Sequence, residues 1–132
     1  FDRTHGLSGD AAHWMAILAM DQYAHVLADH VPGSRLVASL PAIRAAHADG
    51  AVPILAPARW LRRVDDLPHT WDVTSDSLAA YLATLIGADE LVLIKAVRGG
   101  MELVDRQFPR ALAAGMRWSI LALEDIGQLA PD

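Results

Sequence analysis

Cysteine is absent from this 132-residue chain. That excludes disulfides, thiolate metal sites and thiol nucleophiles, and it fits a reducing cytoplasm, which is the expected location. Positive charge is sparse: 11 Lys and Arg stand against 16 Asp and Glu, a net charge of −5. Without a dense basic patch to displace phosphate counterions, a nucleic-acid module is excluded, and the group Arg59, Arg62 and Arg63 is too small to change that. No apolar run approaches the length that spans a bilayer, so no membrane partner is expected. Signature motifs are also missing. There is no Gly-x-Gly-x-x-Gly, no P-loop pattern and no Gly-x-Ser-x-Gly nucleophile turn. The adjacent acids Asp65 and Asp66 point different ways, so a solvated turn accounts for them better than a glycosidase pair.

Six histidines raise the question of a metal. Asp21, His25 and Asp29 fall at i, i+4 and i+8 of one helix face, with His30 adjacent. Such ligands spread over about 12 Å at 1.5 Å per residue, too far for one ion. His13 sits in an apolar stretch and reads as a core or interface histidine, while His5, His47 and His69 have no companion at ligand spacing. No protein-only metal site is expected.

What is abundant is core material. Hydrophobic residues make up 53% of the chain, enough for one domain or part of one, with no repeats, linkers or low-complexity runs. Ser8 is suited to cap a helix over residues 9–30, closed by Pro32 and Gly33. Its apolar residues cover more than half the circumference, which predicts burial on more than one side, against a sheet and a second subunit. A short strand follows at 35–38, then a helical turn or two at 40–48 with Pro41 at its start. A strand at 51–55 contains Pro53, which favours an edge or a strand start. Residues 57–72 read as irregular. A last strand at 118–123 and a helical turn at 124–129 complete an alternation that argues for an α/β fold with a mostly parallel sheet flanked by helices.

The segment 71–95 carries the most chemistry. A polar loop, Trp71-Asp72-Val73-Thr74, leads into a helix that Thr74 or Ser75 can cap. Asp76 lies in the first turn, where the helix dipole favours a carboxylate. Leu78, Leu82 and Leu85 form the apolar stripe, and Gly87 stops the helix. Leu91 to Ile94 reads as a strand covered on both faces, ending in Lys95. Loop, acid and lysine would thus meet at the carboxyl edge of a sheet, where open α/β folds place ligands. The simpler accounts are that Asp76 only stabilises a helix start, that Lys95 snorkels at a sheet edge, and that Trp71 is buried beneath a loop.

Thr-Ser-Asp-Ser-x-Ala-Ala at 74–80, followed by Gly-Ala-Asp-x-Leu-Val-Leu-x-Lys at 87–95, resembles the amino acid kinase superfamily, a three-layer α/β/α fold. The opening residues Gly6-Leu7-Ser8, Ala12-His13-Trp14-Met15-Ala16 and Ala19-Met20-Asp21-Gln22-Tyr23 are similar to a branch of small kinases linked to methanofuran synthesis, which act on an aminomethylfuran phosphate. The resemblance implies an ATP-dependent phosphotransferase using Mg2+ and a small-molecule phosphate acceptor. It implies that Asp76 orients catalytic lysines. It places Lys95 and the turn Ala96, Val97, Arg98 and Gly99 near the nucleotide, and Asp72, Thr74 and Ser75 near the acceptor or transferred phosphate. It further implies that an N-terminal portion with glycine-rich loops and a catalytic lysine lies outside these 132 residues. One departure stands out: many relatives carry Asp-Val-Asp-Gly-Val-Tyr where this chain has Ala-Val-Arg-Gly-Gly-Met at 96–101. The usual ribose or adenine contacts are therefore in doubt. The rival reading is a non-catalytic α/β binding module that forms a homo-oligomer through helix 9–30.

Overall fold

Ser8 sets where regular structure begins. Its backbone is extended and its hydroxyl accepts the Ala11 N–H at 3.2 Å, so helix α1 runs Gly9–His30. The computed structural model describes residues 6–129, which leaves His5 outside the described residues. The chain divides into two compact units, Phe1–Thr70 and Trp71–Asp132. It is an α/β chain whose strands pair in parallel.

In the first unit α1 is followed by β1 (Ser34–Val37), α2 (Leu40–Ala48), β2 (Val52–Leu55) and α3 (Ala58–Val64). β1 and β2 pair in register from Ser34 with Val52 to Val37 with Leu55, so Pro53 sits on a strand with one partner only among the described residues. Ile17, Ala46 and Leu61 are fully buried between these elements. Burial of α1 is narrower than its composition predicts. Only His13, Ile17 and Ala24 are buried, while Met15, Leu18, Tyr23, Val26 and Leu27 are exposed. A two-stranded layer is too narrow to cover more than one side of a helix. Among the described residues no helix is long and apolar enough to cross a membrane.

Residues 57–72 are more ordered than expected. The helix α3 starts there because Asp21 of α1 accepts the Ala58 N–H at 2.9 Å, a cap that no local pattern announces. Asp21 therefore belongs to the packing rather than to a solvated face. Asp65 is no solvated turn acid either. Its side chain is only 3% exposed, with Oδ2 2.6 Å from His13 Nε2 and 3.2 Å from His69 Nε2, and Oδ1 accepting the Leu67 N–H. The His13 and His69 rings stack at 3.8 Å, and His69 Nδ1 lies 2.7 Å from Asp10 Oδ1. This group fastens the loop after α3 to the start of α1. A Cβ at Gly9 would come within 2.5 Å of the His69 carbonyl oxygen, so only glycine permits the approach.

The second unit runs α4 (Ser75–Ile86), β3 (Glu90–Lys95), a 3-10 turn at Met101–Leu103, α5 (Phe108–Ala111), β4 (Arg117–Ala122) and a 3-10 segment at Leu123–Leu129. β3 and β4 pair from Glu90 with Arg117 to Lys95 with Ala122. Ala80, Leu93 and Phe108 form the core, with Phe108 against Trp118 edge-on at 4.9 Å. Gly87, at φ +76°, ends α4 and gives its N–H to the Ala83 carbonyl. β3 is less enclosed than a doubly covered strand: Leu93 is buried but Ile94 is half exposed. Trp71 is also exposed rather than tucked beneath its loop.

The start of α4 departs from the expected local cap. Thr74 is the N-cap residue, yet its hydroxyl makes no capping bond. Thr74 N–H and Oγ1–H both donate to Asp105 Oδ2 at 2.8 Å, joined by the Ser77 N–H at 3.0 Å, and the Ser77 hydroxyl donates to Oδ1. Asp105 Oδ1 also accepts the Phe108 N–H at 2.8 Å, so one carboxylate caps both α4 and α5. Burial opposes the charged form of Asp105, but the donors from Ser77 and Thr74 outweigh it and hold the carboxyl below its ordinary range. A depressed pKa stabilises the fold above the unfolded value and is lost as pH falls through the folded one. Denaturant unfolding should therefore show an acid limb below about pH 4 that flattens in Asp105→Asn. Asp105→Ala should cost about 2 kcal/mol at neutral pH, the upper end for a helix cap. An unchanged acid limb in Asp105→Asn would contradict this role.

Candidate functional site

α4 and β3 bring the two leading candidates into contact. Asp76 follows Ser75 in the first turn of α4, where free N–H groups favour a carboxylate, and the turn faces the end of β3. Lys95 is the last residue of that strand. Its Nζ lies 2.7 Å from both Oδ1 and Oδ2 of Asp76. The Asp76 side chain is 9% exposed and that of Lys95 is 22% exposed. The carboxylate is thus enclosed and the ammonium keeps an open side. An ammonium has three donors; two directed at Asp76 leave one for an incoming anion.

The neighbouring turn is anchored differently. After Lys95, Ala96 and Val97 form a bend, with Val97 more than half exposed. Arg98 turns to the last 3-10 segment, donating from Nε and Nη2 to Asp125 at 2.8 and 2.6 Å and lying 3.1 Å from Glu124. The bond to Asp125 makes the guanidinium harder to deprotonate and holds the Asp125 carboxyl below its ordinary range. A Cβ at Gly99 would lie 2.6 Å from Leu103 Cδ1 and from Glu102 Oε1, so a larger residue there would have to displace those side-chain ends.

The loop before α4 is only partly drawn in. Thr74 is held by Asp105, Ser75 is exposed at the first helical position, and Asp72 lies 3.8 Å from Arg106. The structure joins Asp76 to Lys95 and Thr74 to Asp105. It gives Arg98 to Asp125 and Glu124. Neither Asp105, read as the start of a helix over 105–114, nor Ser77, part of the 74–80 motif, was among the candidate site residues, because the bond between them joins positions 28 residues apart.

Among the described residues, His13, Asp65 and His69 offer ligand atoms within 4.8 Å of one another. Sequence reasoning missed this trio because the three residues come from a helix and a distant loop. The rings are nearly parallel, 15° apart, and the Nε2 atoms of both approach the same Asp65 Oδ2. As it stands, the group is held together by the hydrogen bonds of both imidazoles to Asp65.

Comparison with known proteins places the chain among its relatives. The sequence profile of the amino acid kinase family matches residues 3–109, a span that includes Asp76, Lys95 and Asp105. The chain is also 28% identical over 98 residues to [5-(aminomethyl)furan-3-yl]methyl phosphate kinase of Methanocaldococcus jannaschii. That alignment covers 74% of this chain and 45% of the relative, so the chain spans less than half of that kinase's length. With most of its residues inside the family profile, the chain belongs to the amino acid kinase family.

Proposed function

We propose that this chain supplies the Asp76–Lys95 pair to a small-molecule kinase that uses ATP with Mg2+ and acts on a phosphate-bearing acceptor of the aminomethylfuran phosphate type. The observation that carries the reading is the lysine held by both oxygens of an enclosed carboxylate at the end of a parallel strand. Phosphoryl transfer asks a protein mainly for positioning and for neutralisation of the charge spread over the phosphate oxygens. Asp76 fixes the Lys95 ammonium in one place, and its remaining donor can meet a nucleotide phosphate without reorganisation. Mg2+ bound to the nucleotide would supply further neutralisation and would need few protein ligands. The turn of Ala96, Val97, Arg98 and Gly99 would lie along the nucleotide, and Asp72, Thr74 and Ser75 would border the transferred group. Arg98 could contact a phosphate only by leaving Asp125 and Glu124, which makes Lys95 the readier cation. The cysteine-free composition supports a cytoplasmic setting.

A non-catalytic binding module is the rival, favoured by the same pair read as a closed structural tie. Turnover separates the two. In the full-length gene product, Asp76→Asn should lower kcat by roughly a hundredfold or more while circular dichroism stays native. Unchanged kcat would remove Asp76 from the mechanism.

The assembly proposal rests on α1. Met15, Ala19, Tyr23 and Val26 lie along one exposed stripe, with Ala19 small enough for a second helix to approach. A second copy related by a two-fold axis would present the same stripe and bury it. Sedimentation should find a dimer that Met15→Glu with Tyr23→Glu converts to monomers. A wild-type monomer at micromolar concentration would overturn the assembly.

A further inference from the structure

The first unit contains a cavity of about 440 Å3, a size suited to a small molecule. It opens beyond Val37 at the carboxyl end of β1, where parallel α/β arrangements gather ligands. Ser39 and Pro41 of the α2 start line one side, and Arg59, Trp60 and Arg63 of α3 line another. Not one carboxylate is among the residues that line it.

The charge pattern is what calls for a ligand. Arg59 and Arg63 are four residues apart on α3, so their side chains share a face and repel each other. Several other arginines have a partner, whereas Arg44, Arg110 and Arg117, like the cavity pair, form no ion pair among the described residues. Arg35 pairs with Asp49, Arg98 with Asp125, Arg106 approaches Asp72, and Arg62 lies over the Trp14 ring at 4.5 Å. Among the described residues neither Arg59 nor Arg63 has an ion-pair partner. Two uncompensated guanidiniums bordering one cavity, in a chain of net charge −5, form a local site for an anion. The N-terminal end of the nine-residue helix α2 adds its partial positive charge to the same space.

The rest of the lining narrows the ligand. Trp60 offers a flat aromatic surface between the two arginines in sequence, and Leu36, Val37 and Pro41 are apolar. We propose that this cavity binds a small phosphate monoester with a flat, apolar body. The guanidiniums of Arg59 and Arg63 would grip the phosphate through paired N–H donors, and the flat part would lie against Trp60. Such a phosphate could belong to the acceptor of the kinase reaction or to a separate effector. The chemistry of binding is the same for both, and it stands whether or not Asp76 and Lys95 bind a nucleotide.

Calorimetric titration with phenyl phosphate, inorganic phosphate and benzyl alcohol tests the site. Phenyl phosphate should bind saturably and more tightly than either fragment. Arg59→Gln or Arg63→Gln should each weaken it by about tenfold or more, the loss expected for a hydrogen bond to a charged group. Trp60→Leu should reduce its advantage over inorganic phosphate, whereas Arg62→Gln, an equal charge change outside the lining, should leave binding intact. No saturable binding at millimolar phenyl phosphate, or an equal loss from Arg62→Gln, would overturn the site. In turnover by the full-length protein, a raised acceptor KM in Arg59→Gln assigns the site to the acceptor, and an unchanged KM assigns it to an effector. If MgATP fails to bind while phenyl phosphate still does, the kinase reading falls and this site remains.

Discussion

The contact between Asp76 and Lys95 joins a helix start to a strand end, and every functional statement about the second unit depends on it. Removing a carboxylate from water is costly, and a single ammonium at 2.7 Å from both oxygens offsets that cost without saturating itself. The pair is electrically neutral, yet one N–H donor remains on the exposed side. Arg98 is the counter-example. It faces two carboxylates, so the local charge is already negative and an approaching phosphate would be repelled. Two basic residues three positions apart thus have opposite prospects, decided by how many acids each one meets.

Asp105 plays the supporting part. By accepting bonds from Thr74, Ser77 and Phe108 it fixes where α4 and α5 begin, and hence where Asp76 points. A cap supplied from 31 residues away makes the helix start depend on the tertiary fold rather than on its own sequence. The first unit repeats the device. Asp21 caps α3 from α1, and Asp65 joins His13 to His69. In both units, aspartates on one element settle the free backbone or ring N–H groups of another.

This also explains what the sequence could reveal. α1 was legible because its cap Ser8 and its terminators Pro32 and Gly33 are local, and α4 ends at Gly87 for the same reason. The Asp76–Lys95 contact was legible because first-turn acids and strand-end lysines have fixed positions relative to their own elements. α3 was not, because seven residues carry too little periodicity and the acid that starts it lies 37 residues upstream. His69 and Asp65 looked unremarkable for the same reason: their partners His13 and Asp10 lie on α1. Composition overstated the enclosure of α1 and β3, since apolar residues such as Met15 and Ile94 remain exposed.

The most direct measurement is a calorimetric titration of the chain with MgATP, wild type against Lys95→Met. If the ammonium held by Asp76 meets a nucleotide phosphate, the wild type binds saturably and the variant loses about tenfold or more in affinity. Equal affinity in the two proteins would contradict the account.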